Sequence, residues 1–266
     1  MRPSEIHELL ARHGVRPSRA LGQNFLADEN TARRIVRLAD LQPGERVVEV
    51  GPGIGSLTVE LADAGVHVRA IEVDRHLVPI LEEVVEGRDV EVVHGDAMRV
   101  DWRAHLGAEP WVMVANLPYN VATPLVIGVL ESAPMVERIL VMVQREVGER
   151  MAASAGDDAY GAMSVKVAYY ASAQVVGTVS PNVFVPKPKV ESALVKLVRH
   201  DRPPVDVRDA DAMFALVRAG FATRRKTLRN TLEGRVDAEQ FARAHVDPQA
   251  RAETLSLADW ARLVDA

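Results

Sequence analysis

The sequence predicts an α/β fold: a doubly wound, mostly parallel sheet closed at one edge by an antiparallel hairpin, with a small helical domain after it. Three observations predict it. Apolar runs of strand length alternate with segments of helical period between residues 46 and 153, as in a parallel sheet with short connections. Two later strand-like runs, 174–179 and 192–199, have no helical pattern between them, which suits an antiparallel edge pair. Beyond the stiff Pro203-Pro204 pair the pattern is helical throughout.

The elements follow in order. Residues 4–13 read as an amphipathic helix, and 17–25 as a loop that is basic and then polar. Residues 28–39 read as a second helix with Asp28 as its N-cap. Strands are expected at 46–50, 66–73, 90–94, 111–115 and 138–143. Helices are expected at 56–64, 77–86, 123–130 and 146–153. The C-terminal pattern gives helices at 210–221, 224–232, 237–244 and 256–264. This places one domain at 1–201 and a helical domain at 205–266.

Composition bounds the chemistry. At 266 residues and 48% apolar, the chain can bury one large core and carry a small second domain. It has no cysteine, which excludes disulfides, thiolate metal sites and a cysteine nucleophile. The eight histidines lack ligand spacing, and His7-Glu8 fails as a zinc helix because Ala11 stands where the second histidine is needed. No secretory signal is read at the N-terminus. The uncharged run from residue 110 to 130 is broken by Asn116, Pro118, Asn120 and Pro124, which a lipid-facing helix would not tolerate. A soluble, cytoplasmic monomer with neither membrane nor metal is expected.

The net charge of −5 conceals an uneven distribution. Arg218, Arg224, Arg225, Lys226, Arg229 and Arg235 face one acid, Glu233, within 18 residues, and residues 187–202 are also basic. That asymmetry fits a polyanion docking on one face, with a solvated helix face as the structural alternative.

The glycine loop Gly51-Pro52-Gly53-Ile54-Gly55 lies between a strand and a helix. Its spacing is not that of dinucleotide binders, and Pro52 removes an N–H that a phosphate cradle would use. A ligand with an adenosine but no phosphate fits better. Glu72, at the end of the next strand, suits ribose hydroxyls, and Asp96, after the third, suits an adenine amino group. Asp74 and Asp101 are alternative carboxylates. Three such elements in this order point to S-adenosylmethionine. Asn116-Leu117-Pro118-Tyr119 then ends a buried strand with an amide acceptor, a proline-fixed carbonyl and a stacking ring. Those groups suit an exocyclic amine on a planar base, although a plain strand-to-helix turn would look similar.

Together these residues resemble the ribosomal RNA adenine dimethyltransferases, which modify two adjacent adenosines near the 3′ end of small-subunit (16S) rRNA. The resemblance runs from Leu21-Gly22-Gln23-Asn24-Phe25-Leu26 through Glu49 to Gly55, Ile71 to Arg75, Gly95 to Met98, Asn116 to Tyr119 and Tyr160-Gly161. It continues through Phe184 to Val190 and Arg224 to Asn230. It implies a Rossmann-like methyltransferase sheet in which Asn24, Leu26, Gly51, Glu72, Asp96 and Asn116 contact S-adenosylmethionine. It also implies that Asn116, Leu117, Pro118 and Tyr119 form the target-amine site, with Phe184 covering the other face of the base. Flanking Pro181, Pro186 and Pro188 suggest that Phe184 stands on an exposed, stiff loop, the alternative being a core aromatic. Arg224, Arg225, Lys226 and Arg229 are expected to dock the small ribosomal subunit. Asp157-Asp158 departs from the family pattern and weakens the case for an RNA contact there. The competing readings are a large-subunit enzyme of the resistance type and a non-catalytic ribosome-assembly factor.

Overall fold

A computed structural model of the chain describes residues 1–18, 20–223 and 225–266. Among these the strands are β1 (Phe25–Leu26), β2 (Arg46–Val50), β3 (His67–Glu72), β4 (Val90–His94), β5 (Trp111–Asn116), β6 (Val136–Gln144), β7 (Ala171–Val179), β8 (Phe184–Val185) and β9 (Ser192–Arg199). Seven of the described strands form one sheet in the order β4-β3-β2-β5-β6-β9-β7. The pairs β3–β4, β2–β3, β2–β5 and β5–β6 are parallel, and β9 runs antiparallel to β6. The expected sheet and its antiparallel edge are therefore present.

The order matters for function. The first parallel strand, β2, lies in the middle, with β3 and β4 to one side and β5 and β6 to the other. Such a reversal opens a crevice at the carboxyl ends of the strands, where the loops diverge. The uncharged run of the sequence has its explanation here too. Residues Trp111 to Ala115 of β5 are all buried, as a central parallel strand requires.

Packing explains why the flanking helices form. The helix Glu29–Ala39 buries Ala32, Ile35 and Ala39, and the helix Ser56–Asp63 buries Leu57 and Leu61, against Val47, Val112, Val114 and Leu140. Each fully buried aliphatic side chain contributes roughly 1.5–3 kcal/mol. Asp28 caps the first of these helices as expected, accepting from Thr31 N at 2.6 Å. Asp101 likewise caps a helix that the periodicity does not reveal, Trp102–Leu106, accepting from Ala104 N at 3.0 Å.

The chain divides into two compact units, Met1–Gly148 with Gln174–Arg199, and Glu149–Ala173 with His200–Ala266. This differs from a single boundary between 201 and 205. Residues Glu149–Ala173 contain a helix, Ala162–Tyr170, that sequence pattern misses, and Tyr160 and Val165 belong to one core with Phe214, Val217 and Trp260. The apolar surface of that segment is buried with the C-terminal helices, although β7 returns the chain to the sheet. The described C-terminal helices are Ala210–Phe221, Leu228–Thr231, Ala238–Arg243 and Leu257–Asp265.

Candidate functional site

A cleft in the first unit lies at the carboxyl ends of β2, β3 and β5, with the segment from Leu21 to Leu26 along it. Its floor is the glycine loop. Gly51 has φ +67° and donates its N–H to Ile71 O at 2.9 Å. Gly53 has φ +62°, and a Cβ there would come within 3.0 Å of the Phe25 ring. Both the left-handed backbone and the close ring demand glycine.

Glu72 is 3% exposed. Its Oε2 accepts from Gly53 N at 2.9 Å and its Oε1 from Asp74 N at 2.8 Å. Burial raises its pKa, and these backbone donors oppose the shift. The carboxylate is thus tied to the glycine loop and to its own strand end, with a lone pair left on each oxygen for a ligand hydroxyl. Asp74 takes a different part, accepting from Gln23 Nε2 at 2.8 Å and from His76 N at 3.0 Å. Gln23 in turn accepts from Ser18 N at 2.7 Å, so Asp74 holds the N-terminal segment beside the cleft.

Asn116 donates from Nδ2 to Asn24 O at 3.2 Å. That commits the amide nitrogen and leaves the side-chain oxygen as the acceptor. Asn24 donates to Gly22 O at 3.0 Å, and Leu26 is buried in β1. Leu117 N donates to Met142 O at 3.1 Å, which anchors the loop to β6. The turn bonds after it come from Val121 and Ala122 and go to Pro118 O, so the Leu117 carbonyl takes no part in them. Tyr119 is half-buried, with its hydroxyl 2.9 Å from Ser192 Oγ.

Phe184 corrects one expectation. It is 4% exposed and is no part of an exposed loop, because β8 pairs antiparallel with β1, placing Leu26 opposite Phe184. Ala27 N also donates to Val183 O at 2.7 Å. These bonds turn the ring inward, into a core cluster with Leu194, and it still lines the cleft.

The cleft brings together Asn24, Leu26, Gly51, Glu72, Asn116, Leu117, Pro118, Tyr119 and Phe184. Asp96 is not among its lining residues. It follows β4, one strand further out, with 42% of its side chain exposed, and its Oδ1 accepts from Met98 N at 2.9 Å. Two residues gain a part here that the sequence does not give them. Ser192 is not in the cleft wall itself, but its Oγ lies 2.9 Å from the hydroxyl of Tyr119, which is. Glu49, the first residue of the glycine motif, lines the cleft and is 1% exposed, a burial that only the fold reveals.

The basic cluster lies in the second unit. Arg225, Lys226 and Arg229 are exposed there, and Arg224 lies outside the described residues. The helix expected at 224–232 is a short turn, Leu228–Thr231, held by Leu228 N and Arg229 N donating to Ala250 O and Pro248 O. In the same unit, Asp157 accepts from Ser154 N at 2.8 Å, a turn-closing bond, and the Tyr160 hydroxyl donates to Leu255 O at 2.8 Å. Among the described residues no group of three or more His, Asp or Glu could hold a metal ion, and no helix is long and apolar enough to cross a membrane.

Comparison with known proteins agrees with this geometry. The family model described as ribosomal RNA adenine dimethylase matches residues 15–266. The ribosomal RNA small subunit methyltransferase A of Streptomyces coelicolor is 45% identical over 274 residues, covering 99% of this chain and 95% of that protein. The protein of the same name from Geobacillus thermodenitrificans is 40% identical over 279 residues, covering 99% and 95%. Among solved structures, the 23S rRNA methyltransferase ErmE is similar with a TM-score of 0.72 and 28% identity, over 91% of this chain and 98% of that one.

Proposed function

Since this chain belongs to the ribosomal RNA adenine dimethylase family, we propose that it dimethylates N6 of two adjacent adenosines near the 3′ end of 16S rRNA, using S-adenosylmethionine. The observation that carries the reading is one cleft holding a ribose-type carboxylate, Glu72, and an amine-type acceptor pair at Asn116 and Leu117. Small-subunit relatives at 45% identity support that substrate over the large-subunit reading, for which the similarity is 28%.

The residues fit the cofactor. A glycine floor with positive φ, an adjacent proline and a buried carboxylate leave room for a sugar while offering a phosphate few donors. Gly51, Glu72, Asn24 and Leu26 would hold it, with Asp96 accepting from the adenine amino group at the outer strand end. When bound, S-adenosylmethionine supplies an electrophilic methyl group.

The chain's own residues do the rest. The Asn116 side-chain oxygen and the Leu117 carbonyl accept the two N–H bonds of the target amine, drawing its nitrogen toward tetrahedral geometry and aiming the lone pair. The same acceptors stabilise positive charge as it grows on that nitrogen, in a site whose dipoles are already in place. A strong base is not needed, because the amine loses its proton only after becoming cationic. Tyr119 offers a stacking face to the extruded base, and Phe184 bounds the pocket beyond it, offsetting an unstacking cost of a few kcal/mol. Exposed Arg225, Lys226 and Arg229 meet the RNA backbone electrostatically.

Incubation with labelled S-adenosylmethionine and small subunits lacking the modification, followed by nucleoside mapping, tests the reading. Label in two adjacent dimethyladenosines of 16S rRNA is expected. Label confined to large-subunit RNA, or none at all, would overturn it.

A further inference from the structure

At the carboxyl end of β6 the surface of the first unit carries a second groove, lined by Gln144, Arg145, Glu146, Val190 and Glu191. Strand pairing fixes its place. Met142 stands opposite Asn116 in the β5–β6 pair, and Gln144 stands opposite Ser192 in the β6–β9 pair. The Gln144 Cα is therefore roughly 8 Å from that of Asn116, one strand across and two residues along. Ser192 in turn meets the Tyr119 hydroxyl at 2.9 Å, so this one side-chain pair separates the target-amine loop from the groove.

The walls of the groove are pinned. Arg145 N donates to Glu191 O at 3.0 Å, and the Arg145 guanidinium donates to the Glu191 carboxylate at 2.9 Å. A Cβ at Gly148 would come within 2.8 Å of that of Ala193, so the segment after β6 lies directly on β9. On this frame Val190 is 44% exposed, although Pro188 and Ser192 beside it are buried.

A lone exposed valine is ordinary on a protein surface. Its neighbours set this one apart. Gln144, half-buried at the strand end, brings an amide with one acceptor oxygen and two N–H donors. Lys187 and Lys189, on the loop that leads to Val190, are exposed. An apolar platform, an amide and two cations complement the face, the edge and the phosphate of a nucleotide.

The reaction supplies the occupant. Its substrate is a pair of adjacent adenosines, and extruding one leaves the base beside it unstacked on that side. An adenine edge offers a donor at N6 and an acceptor at N7, which a glutamine amide matches with two hydrogen bonds. We propose that the groove seats the second adenosine of the pair while the first occupies the cleft, with its base on Val190, its N6–N7 edge on Gln144 and its phosphate toward Lys187 and Lys189. The inference rests on the adenosine-pair reading above. Gln144 then determines specificity without touching the reacting atoms, and the rate at one adenosine depends on the identity of its neighbour.

The test uses small subunits reconstituted in three forms, with both adenosines present or with either one replaced by uridine, which lacks the N6–N7 edge. Single-turnover transfer to each remaining adenosine is mapped for the wild-type protein, Gln144→Ala and Val190→Ser. At one of the two positions the wild-type protein should be slowed roughly tenfold or more by a uridine neighbour, from loss of a bidentate pair. Gln144→Ala should be slowed by a similar factor on the natural pair and be indifferent to the neighbour. Val190→Ser, at an exposed position, should shrink the same neighbour effect and keeps the test decisive should Gln144→Ala not fold. A wild-type rate independent of the neighbour at both positions would overturn the proposal. So would a uridine effect of equal size in all three proteins, as altered RNA folding would produce. Absence of wild-type transfer to the natural pair would instead remove the adenosine-pair reading, and this inference with it.

Discussion

The Tyr119 hydroxyl lies 2.9 Å from Ser192 Oγ, a bond between residues 73 apart in sequence. It ties the loop after β5 to the first residue of β9, and Ser192 is fully buried. A stacking ring is useful only when its plane is held, and this bond fixes the far end of the ring. Tyr119→Ala should slow methyl transfer by the loss of roughly 1–3 kcal/mol of stacking. Tyr119→Phe and Ser192→Ala should each cost less, and the double variant Tyr119→Phe with Ser192→Ala should cost no more than the larger single effect. Additive losses in kcat/KM would show that the hydroxyl pair does not act as a unit.

Phe184 serves a core as well as a cleft, so its truncation has two consequences. Phe184→Ala should destabilise the protein by roughly 3–5 kcal/mol, the range for a buried aromatic. Phe184→Leu should keep most of the stability and still slow transfer, with cofactor affinity unchanged. Denaturant unfolding and single-turnover rates separate the two effects. A Phe184→Leu enzyme with full activity would leave the ring a packing role alone.

Asn116→Ala removes the acceptor that orients the amine as charge develops. Methyl transfer should fall by roughly 10²-fold or more, as when a preorganised donor or acceptor is deleted elsewhere. Affinity for the subunit should change little, because it depends mainly on phosphate contacts. Near-normal dimethyladenosine yield from the variant would rule out the assigned role.

The buried Glu49 also makes stability depend on pH. Its carboxyl sits at about 8 in the fold, chiefly through burial, against 4.5 as the ordinary value. Between those pH values the folded chain holds a proton that the unfolded chain has lost, so stability falls as pH rises. The slope approaches about 1.4 kcal/mol per pH unit for one proton and levels off above the folded value. Glu49→Gln should flatten this part of the profile and be more stable than the wild type at pH 8.5. Parallel stability profiles from pH 5 to 8.5 would show that Glu49 is ionised in the fold.

Alanine at Arg225, Lys226 and Arg229 should weaken subunit binding and flatten its salt dependence. Each lost phosphate contact lowers the log–log salt slope by roughly 0.7–0.9. Affinity for S-adenosylhomocysteine serves as the internal control and should not move. An unchanged slope would transfer the docking role to the basic stretch at 187–202.

Much of the fold and of the cleft is legible in the sequence. Periodicity located β4 at Val90–His94 and β9 at Ser192–Arg199 to the residue, and Asp28 as a cap. The glycine spacing, Glu72 and the Asn116 to Tyr119 stretch announced the cleft, because each of those chemistries needs particular residue types in a particular local order. Short helices such as Trp102–Leu106 escaped because one turn has too few residues to display a period. Phe184 was misread because prolines on either side suggest exposure, while the pairing of β8 with β1 that turns the ring inward joins segments 159 residues apart.

By itself, then, the sequence determined the succession of the longer strands and helices, the residue types that line the cleft and the family, since these depend on residue type and near-neighbour spacing. Only the tertiary structure decided that Glu49 is buried, that Ser192 holds Tyr119, and that residues Glu149–Ala173 belong with the C-terminal helices. Periodicity reports which face of an element is apolar, but not which distant side chain will meet it. Burial, pKa and ring orientation are set by those distant partners, and the partners exist only once the chain has closed on itself.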